Sequence, residues 1–475
     1  MTMNKHFMKA ITRREMLQGY SAGFGMFAMA GLLGEEQAKA EAIKAIKGPL
    51  AVHPPMFPAK AKRVIFVFMH GGPSQVDTFD PKPLLTRDHG KPLPFAKPRV
   101  QFAATGNLLK SPWQFKKYGQ SGLEVSDLFP NVGACADELC VVRSMYGSNP
   151  AHGGALLAIH TGSDRFIRPS MGSWITYGLG TENQNLPGFI TICPTLGHGG
   201  VQNWSSAFLP AAYQGTPIGN ASIPAKNAVV SYIKNPEIGP DLQRFQLDAL
   251  KDMNEDQMKH FGYDPQLEGR IQTFELAYRM QTIAPKLMDI SNESKATLDL
   301  YGVGEDPTDN FGRQCLLARR FCEEGVRFIQ VTHSYKWDQH GDLRNGHSKN
   351  AKEVDKPIAG LLKDLKARGL LKDTLVLWGG EFGRTPTAQG DDGRDHNPNG
   401  YCMWMAGGGV KAGTAYGATD DYGYYAEVDK MHIHDLHATM LHLLGIDHKK
   451  LTFRHGGRDH RLTDVAGEVA HGVIA

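Results

Sequence analysis

Seven consecutive residues, Arg63-Val64-Ile65-Phe66-Val67-Phe68-Met69, form an almost unbroken apolar run that stops at His70-Gly71-Gly72-Pro73. A run so short and continuous predicts a strand buried on both faces, because a half-exposed strand alternates apolar and polar residues. The Gly-Gly-Pro that follows ends it in a turn. Similar runs occupy 187–193, 326–332, 374–378 and 401–406, and each reads as a buried parallel strand. Helical patterns lie between them, clearest over 153–159, 268–288, 311–324, 351–368 and 434–444. Buried strands alternating with helices predict an α/β fold, a mostly parallel sheet with helices on both faces. The stretch 195–264, rich in Pro, Gly and Asn, reads as an insertion or cap on that sheet.

In such a sheet ligands gather beyond the carboxyl ends of the strands. Those positions are polar here: His70, Ser74 and Asp77 follow the first run, and His333, Asp338 and His340 follow the run ending at Thr332. Glu381 and Arg384 come after Trp378, and Asp395 and His396 stand just ahead of Tyr401. Histidine is over-used, with 20 in 475 residues and 12 of them beyond Val331, and clustered imidazoles point to metal or proton chemistry. Ser74 and Asp77 also suit the cap of a short helix. The six cysteines contain no Cys-x-x-Cys pair of the metal-binding type. Cys135 and Cys140 are close enough in sequence to bridge, whereas Cys315 and Cys322 would stand about 10 Å apart on one helix. A formal charge of +3, with no basic cluster beyond the N-terminus, leaves no nucleic-acid footprint.

The N-terminus reads Thr12-Arg13-Arg14-Glu15-Met16-Leu17-Gln18, then an uncharged Gly- and Ala-rich stretch over 19–34, then Ala38-Lys39-Ala40. An Arg pair, a modest apolar region and a small-x-small site predict a twin-arginine signal over 1–40, cleaved to leave Glu41. The expected partner during export is the twin-arginine translocase, and the expected location is periplasmic or otherwise extracytoplasmic. The apolar stretch is shorter than the ~20 residues a membrane span needs, so no stable span is expected in the mature chain. The remaining sequence divides into a linker over 41–62, an α/β domain over 63–464 and a tail over 465–475.

Three segments together resemble a bacterial exported family, the domain of unknown function numbered 1501. They are His70-Gly71-Gly72-Pro73-Ser74-Gln75-Val76-Asp77-Thr78-Phe79-Asp80-Pro81, Gly379-Gly380-Glu381-Phe382-Gly383-Arg384-Thr385-Pro386 and Gly393-Arg394-Asp395-His396-Asn397. The resemblance runs from about Arg63 to Asp464. Further matches are similar to the alkaline-phosphatase superfamily of phosphatases, sulfatases and phosphodiesterases. Ser148-Asn149-Pro150-Ala151-His152-Gly153-Gly154 running down to Thr161-Gly162 looks like the helix that opens with the nucleophile. Gly407-Gly408-Gly409-Val410-Lys411, followed by Asp435-Leu436-His437-Ala438-Thr439 and Leu444-Gly445, looks like that group's C-terminal loop and helix.

The resemblance implies one or two divalent cations held by Asp and His. Asp338 and His340 fall where the superfamily has an Asp and a His, at closer spacing than usual. Glu381 falls on the Asp of an Asp-His pair whose second position is here Phe382, and His396 on the last His ligand. His70 replaces the first-strand Asp unless the loop recruits Asp77. Imidazole with carboxylate suits Zn²⁺, Mn²⁺ or Fe²⁺ better than Ca²⁺ or Mg²⁺. The nucleophile position falls on Ser148 by one match and on His152 by another. If Pro150 is the first helical residue, Asn149 caps the helix and Ser148 lies at an amide-rich end. His152 stays open as ligand, nucleophile or acid, and Arg384 is placed to meet an anion or to close an ordinary salt bridge. Two functions remain: a metal-dependent hydrolase of a phosphate or sulfate ester on a small molecule or glycan, and a non-catalytic envelope protein that binds a glycan or protein partner. Phe382 and His70 favour the second; the convergence of ionisable residues at separate strand ends favours the first.

Overall fold

Residues 48–96 and 104–475 are described by the computed structural model, so the expected signal over 1–40 lies outside the described residues. A nine-stranded sheet forms the centre. Its strands are β1 (Arg63–Met69), β2 (Leu139–Tyr146), β3 (Phe189–Ile192), β4 (Thr216–Ile218) and β5 (Phe328–His333). β6 (Thr374–Gly379), β7 (Tyr401–Ala406), β8 (Thr414–Tyr416) and β9 (Met431–His432) complete it. The spatial order is β8-β2-β7-β6-β1-β5-β3-β4, with β9 also paired to β2. Every residue of β1, β5 and β6 is buried, so the centre of the sheet is covered on both faces. β1 runs parallel to both neighbours, with Met69 beside His333 and Phe68 beside Gly379, and this register brings three carboxyl ends to one rim.

The strand over 401–406 corrects the expectation of a parallel partner: β7 runs antiparallel to both β6 and β2, while the other pairs of the sheet are parallel. A continuous apolar run carries no mark of direction, so its sequence reads the same either way. The reversal matters chemically, because the residues that precede β7 now lie at the rim where β1, β5 and β6 end. β2 escaped the sequence reading because Arg143 interrupts its apolar run; that side chain is half-buried and donates to the Phe79 carbonyl at 2.9 Å.

The longer helices are α1 (His152–Thr161), α2 (Met171–Leu179), α3 (Pro240–Phe261), α4 (Pro265–Met288), α5 (Lys295–Tyr301), α6 (Asp309–Glu323), α7 (Leu343–Ala367) and α8 (Ile433–Leu443). α6 packs on β5 and β1 and against α7. α7 starts at Leu343 rather than 351, because Leu343 and His347 are buried among polar neighbours that hide the helical period. The 195–264 excursion supplies the edge strand β4 and the helix α3, none of whose residues is buried. It ends where Asp264 caps α4, accepting from the Gln266 amide at 2.8 Å. All six cysteines are buried free thiols.

Candidate metal centre

The rim is assembled by close approach of strand-end loops. After His70 the chain turns through Gly71 (φ 115°) and Gly72 (φ 81°). A Cβ on Gly71 would lie 2.8 Å from the backbone nitrogens of Trp337 and Asp338, so only glycine lets the loops after β1 and β5 touch. Asp338 and His340 follow β5, Glu381 follows β6, and His152 opens α1 after β2. His396 belongs to a ribbon of Gly383–Gln389 paired with Gly393–Asn397, and the reversed β7 brings it to the same rim. His333 turns away, its Nε2 lying 2.9 Å from Glu353.

Asp338 Oδ1 is the hub. His340 Nε2 lies 2.9 Å from it, His396 Nε2 3.0 Å, His152 Nε2 3.3 Å and an Arg384 nitrogen 2.5 Å. Tyr335 donates its hydroxyl to Asp338 Oδ2. The Nε2 atoms of His340 and His396 stand 3.0 Å apart. His396 Nδ1 donates to the Pro150 carbonyl at 2.7 Å, and His340 Nδ1 donates to Gln389 Oε1. Each ring therefore turns an Nε2 lone pair inward, the orientation that a backbone or amide oxygen imposes on a metal ligand. Two lone pairs and a carboxylate oxygen so close together repel unless a proton or cation lies among them. Neighbouring ligands of an octahedral cation at ~2.1 Å are about 3.0 Å apart, which matches this triangle.

Beside the triangle, His152 Nδ1 stands 2.6 Å from Glu381 Oε1, which also accepts from the Gly71 amide at 3.0 Å. His70 and Glu381 are each 1% exposed. The Nε2 atom of His70 is buried without a hydrogen-bond partner among the described residues, and that of His152 is buried with only the Asp338 carboxylate near it, at 3.3 Å. Three overlapping donor sets result: His70, His152 and Glu381; His152, Asp338 and His396; and His340, Asp395 and His396, each within 4.8 Å.

Burial alone would raise the Glu381 carboxyl, but the His152 hydrogen bond and the nearby His70 outweigh it and hold it below its usual value. Burial likewise opposes ionisation of Asp338, yet the adjoining imidazoles of His152, His340 and His396 and the charge of Arg384 hold it well below the carboxylate range. Burial takes His70 down to about 4 and also lowers His396, which leaves both neutral at pH 7. His152 is raised, since Asp338 and Glu381 together overcome its burial, and His340 is raised chiefly by Asp338. Ionised carboxylates and neutral imidazoles are the forms that bind cations, and a cation displaces the protons shared by the others.

Of the residues singled out in the sequence, the fold gathers His70, His152, Asp338, His340, Glu381 and His396. Asp77 stays outside, buried against Arg394 (2.7 and 3.1 Å) and accepting from Ser74 Oγ at 2.5 Å. Ser148 is exposed and lines a separate cavity of about 280 Å³ with Asp164, Arg168 and His434. α1 starts at His152 rather than Pro150; Asn149 Oδ1 accepts the Ala151 amide at 2.9 Å in a local turn, leaving Ser148 well short of the helix. Arg384 is fully buried, and its guanidinium donates to Asp338 and to the carbonyls of Gly71, Gly72 and Arg394, so it positions Asp338. Phe382 packs its ring 4.8 Å from His152 and 4.5 Å from His396. Sequence reasoning passed over Asp395 as a donor, although it adjoins His396. It also missed Tyr335 and His198, neither of which stands where a strand-end pattern would mark a ligand.

Among known proteins, the chain matches the family described as "Protein of unknown function (DUF1501)" over residues 61–474. A comparison with curated proteins gave no match. Among solved structures it is similar to the lipoteichoic acid synthase LtaP from Listeria monocytogenes, at 9% identity over 89% of this chain and 79% of that one, with a TM-score of 0.37. It is similar to the PsFucS1 sulfatase from Pseudoalteromonas sp. at 13% identity over 87% and 72%, with a TM-score of 0.34. The alkaline phosphatase from the Antarctic bacterium TAB5 aligns at 9% identity over 81% and 98%, with a TM-score of 0.34. The chemistry of the site therefore rests on its own geometry.

Proposed function

The chain belongs to the DUF1501 family, and we propose that it is an exported, metal-dependent hydrolase acting on a phosphate or sulfate ester of a small molecule or glycan. The observation that carries this reading is the buried, unpartnered Nε2 atom of His70 within one continuous run of carboxylates and imidazoles. Buried polar atoms without partners are costly, and a cation satisfies several together. His70, His152 and Glu381 would hold one cation; Asp338, His340 and His396, with Asp395 beside them, would hold a neighbouring one. The nitrogen and carboxylate donors suit Zn²⁺, Mn²⁺ or Fe²⁺. A bound divalent cation supplies Lewis acidity, lowering the pKa of water and offsetting negative charge on a phosphoryl or sulfuryl group.

The protein's own groups set the stage for that chemistry. Arg384 and Tyr335 clamp Asp338, and the Gly71 amide holds Glu381, so both carboxylates keep their orientation. The phenyl ring of Phe382 keeps water from one side of His152 and His396. Because Ser148 lies apart, the attacking group in this reading is water.

Protein purified without chelators should carry Zn, Mn or Fe in stoichiometric amount and hydrolyse an aryl phosphate or aryl sulfate. Glu381→Gln and His340→Ala should each weaken metal affinity about ten-fold or more, roughly 1.4 kcal/mol or greater. Metal retained unchanged in both variants would overturn the ligand assignment. A protein without metal would instead support the glycan- or partner-binding envelope protein, the reading that Phe382 favours.

A further inference from the structure

We infer that His198, carried by the 195–264 excursion, completes the donor set of His70, His152 and Glu381 as a third imidazole. This rests on the reading of that set as a cation site. The ring centroid of His198 lies 5.2 Å from that of His152 and 5.5 Å from that of His70, and His70 and His152 are 6.2 Å apart. Imidazoles on one tetrahedral cation, with metal–nitrogen bonds of ~2.1 Å, have centroids about 5.3 Å apart. All three spacings fall within about 1 Å of that figure, so the rings stand at the spacing of co-ligands, with His198 on the solvent-exposed side. Glu381 supplies the fourth donor, its Oε1 lying 2.6 Å from His152 Nδ1.

The backbone shows that this placement is imposed. His198 sits at φ 48°, in the left-handed region, followed by Gly199 at φ 103° and Gly200 at φ 50°. A side-chain-bearing residue stays in that region only where its surroundings hold it, and such positions concentrate at functional sites. The loop is tied at three points: the Gly200 amide donates to the Gly197 carbonyl (3.2 Å), the Gln202 amide to Gly199 (3.0 Å), and Asn203 Nδ2 to the His198 carbonyl itself (3.4 Å). Its ring nitrogens make no hydrogen bond within the described residues; its neighbours are the rings of His70, His152 and Tyr335. A loop shaped only to pack an aromatic ring over the rim would serve equally well with phenylalanine, whereas a ligand needs the nitrogen.

That difference defines the test. The full chain, stripped of metal by a chelator, is titrated with Co²⁺ and followed by its visible absorption, which reports the number and kind of donors. His198→Phe keeps the ring and removes the nitrogen; His198→Ala removes both. The inference expects each variant to bind Co²⁺ at least ten-fold more weakly, with an altered visible band. Affinity and spectrum in His198→Phe equal to those of the unsubstituted chain would overturn it while leaving the cation site intact. A chain that binds no Co²⁺ at all would overturn it together with the reading on which it rests.

Discussion

His160, His347 and His437 are buried imidazoles outside the donor sets, and burial keeps them neutral. His347 Nε2 accepts the Ser74 amide at 3.2 Å, a bond that protonation at that nitrogen abolishes. His160 Nδ1 and His437 Nε2 donate to the carbonyls of Leu156 and Ile159, each at 2.8 Å, while their other nitrogens have no partner among the described residues. Burial lowers His160 to about 4 and His347 and His437 to about 3, from an ordinary 6.5. The folded values lie below the unfolded one, so the unfolded chain takes up protons first as the pH drops. The stability gained by keeping these rings neutral is complete above about 6.5 and is lost as the pH falls towards 4 and 3. Each should remove roughly 1 kcal/mol per pH unit below 6. The urea midpoint, measured in chelator so that cation release does not contribute, should fall steeply between pH 7 and pH 5. A flat profile would show that these rings titrate normally.

Among the elements, the loop Gly71-Gly72 and the reversed β7 do most to create the site. Gly71 brings the β1 end against the backbone of Asp338, and β7 delivers the His396 ribbon to the rim. Gly71→Ala puts a Cβ 2.8 Å from two backbone nitrogens at φ 115°, where nothing flexible gives way. Gly122→Ala is the matched control, at φ 68° with no atom within 4 Å. The control should cost about 1 kcal/mol in urea unfolding, from backbone strain alone. Gly71→Ala should cost about 2–3 kcal/mol and weaken cation binding by displacing Asp338. Equal losses in the two variants would mean that Gly71 serves its backbone angle and not the contact.

For the molecule as a whole, export is a proposal that rests on the N-terminal sequence. No helix among them is long and apolar enough to cross a membrane. The proposed route is the twin-arginine translocase, which reads the Arg13–Arg14 pair as an address rather than as charge. Replacing both with Lys keeps the charge, so the precursor should accumulate in the cytoplasm, as fractionation and blotting would show. Undiminished export of that variant would withdraw the assignment. The proposed cation site, drawn from positions 70 to 396, can form only once the sheet is assembled, which suits a route that carries folded proteins.

Local patterns in the sequence were enough to place β1 over 63–69 and β7 over 401–406, and to bring the last helix within one residue of its observed span. Apolar runs and their Gly or Pro stops are properties of neighbouring residues, so they can be read without the fold. The rim of the sheet followed from them, and with it His70, Asp338, His340, Glu381 and His396. What required the tertiary structure was everything set by partners distant in the chain. The direction of β7 depends on β6 and β2, the fate of Asp77 on Arg394, and the role of Arg384 on four acceptors from other segments. Helix α1 starts at His152, leaving Ser148 outside the cluster, and His198 reaches the cluster from an irregular loop. A residue's type declares what it can bind; only the packing of distant segments decides which atoms are within reach of it.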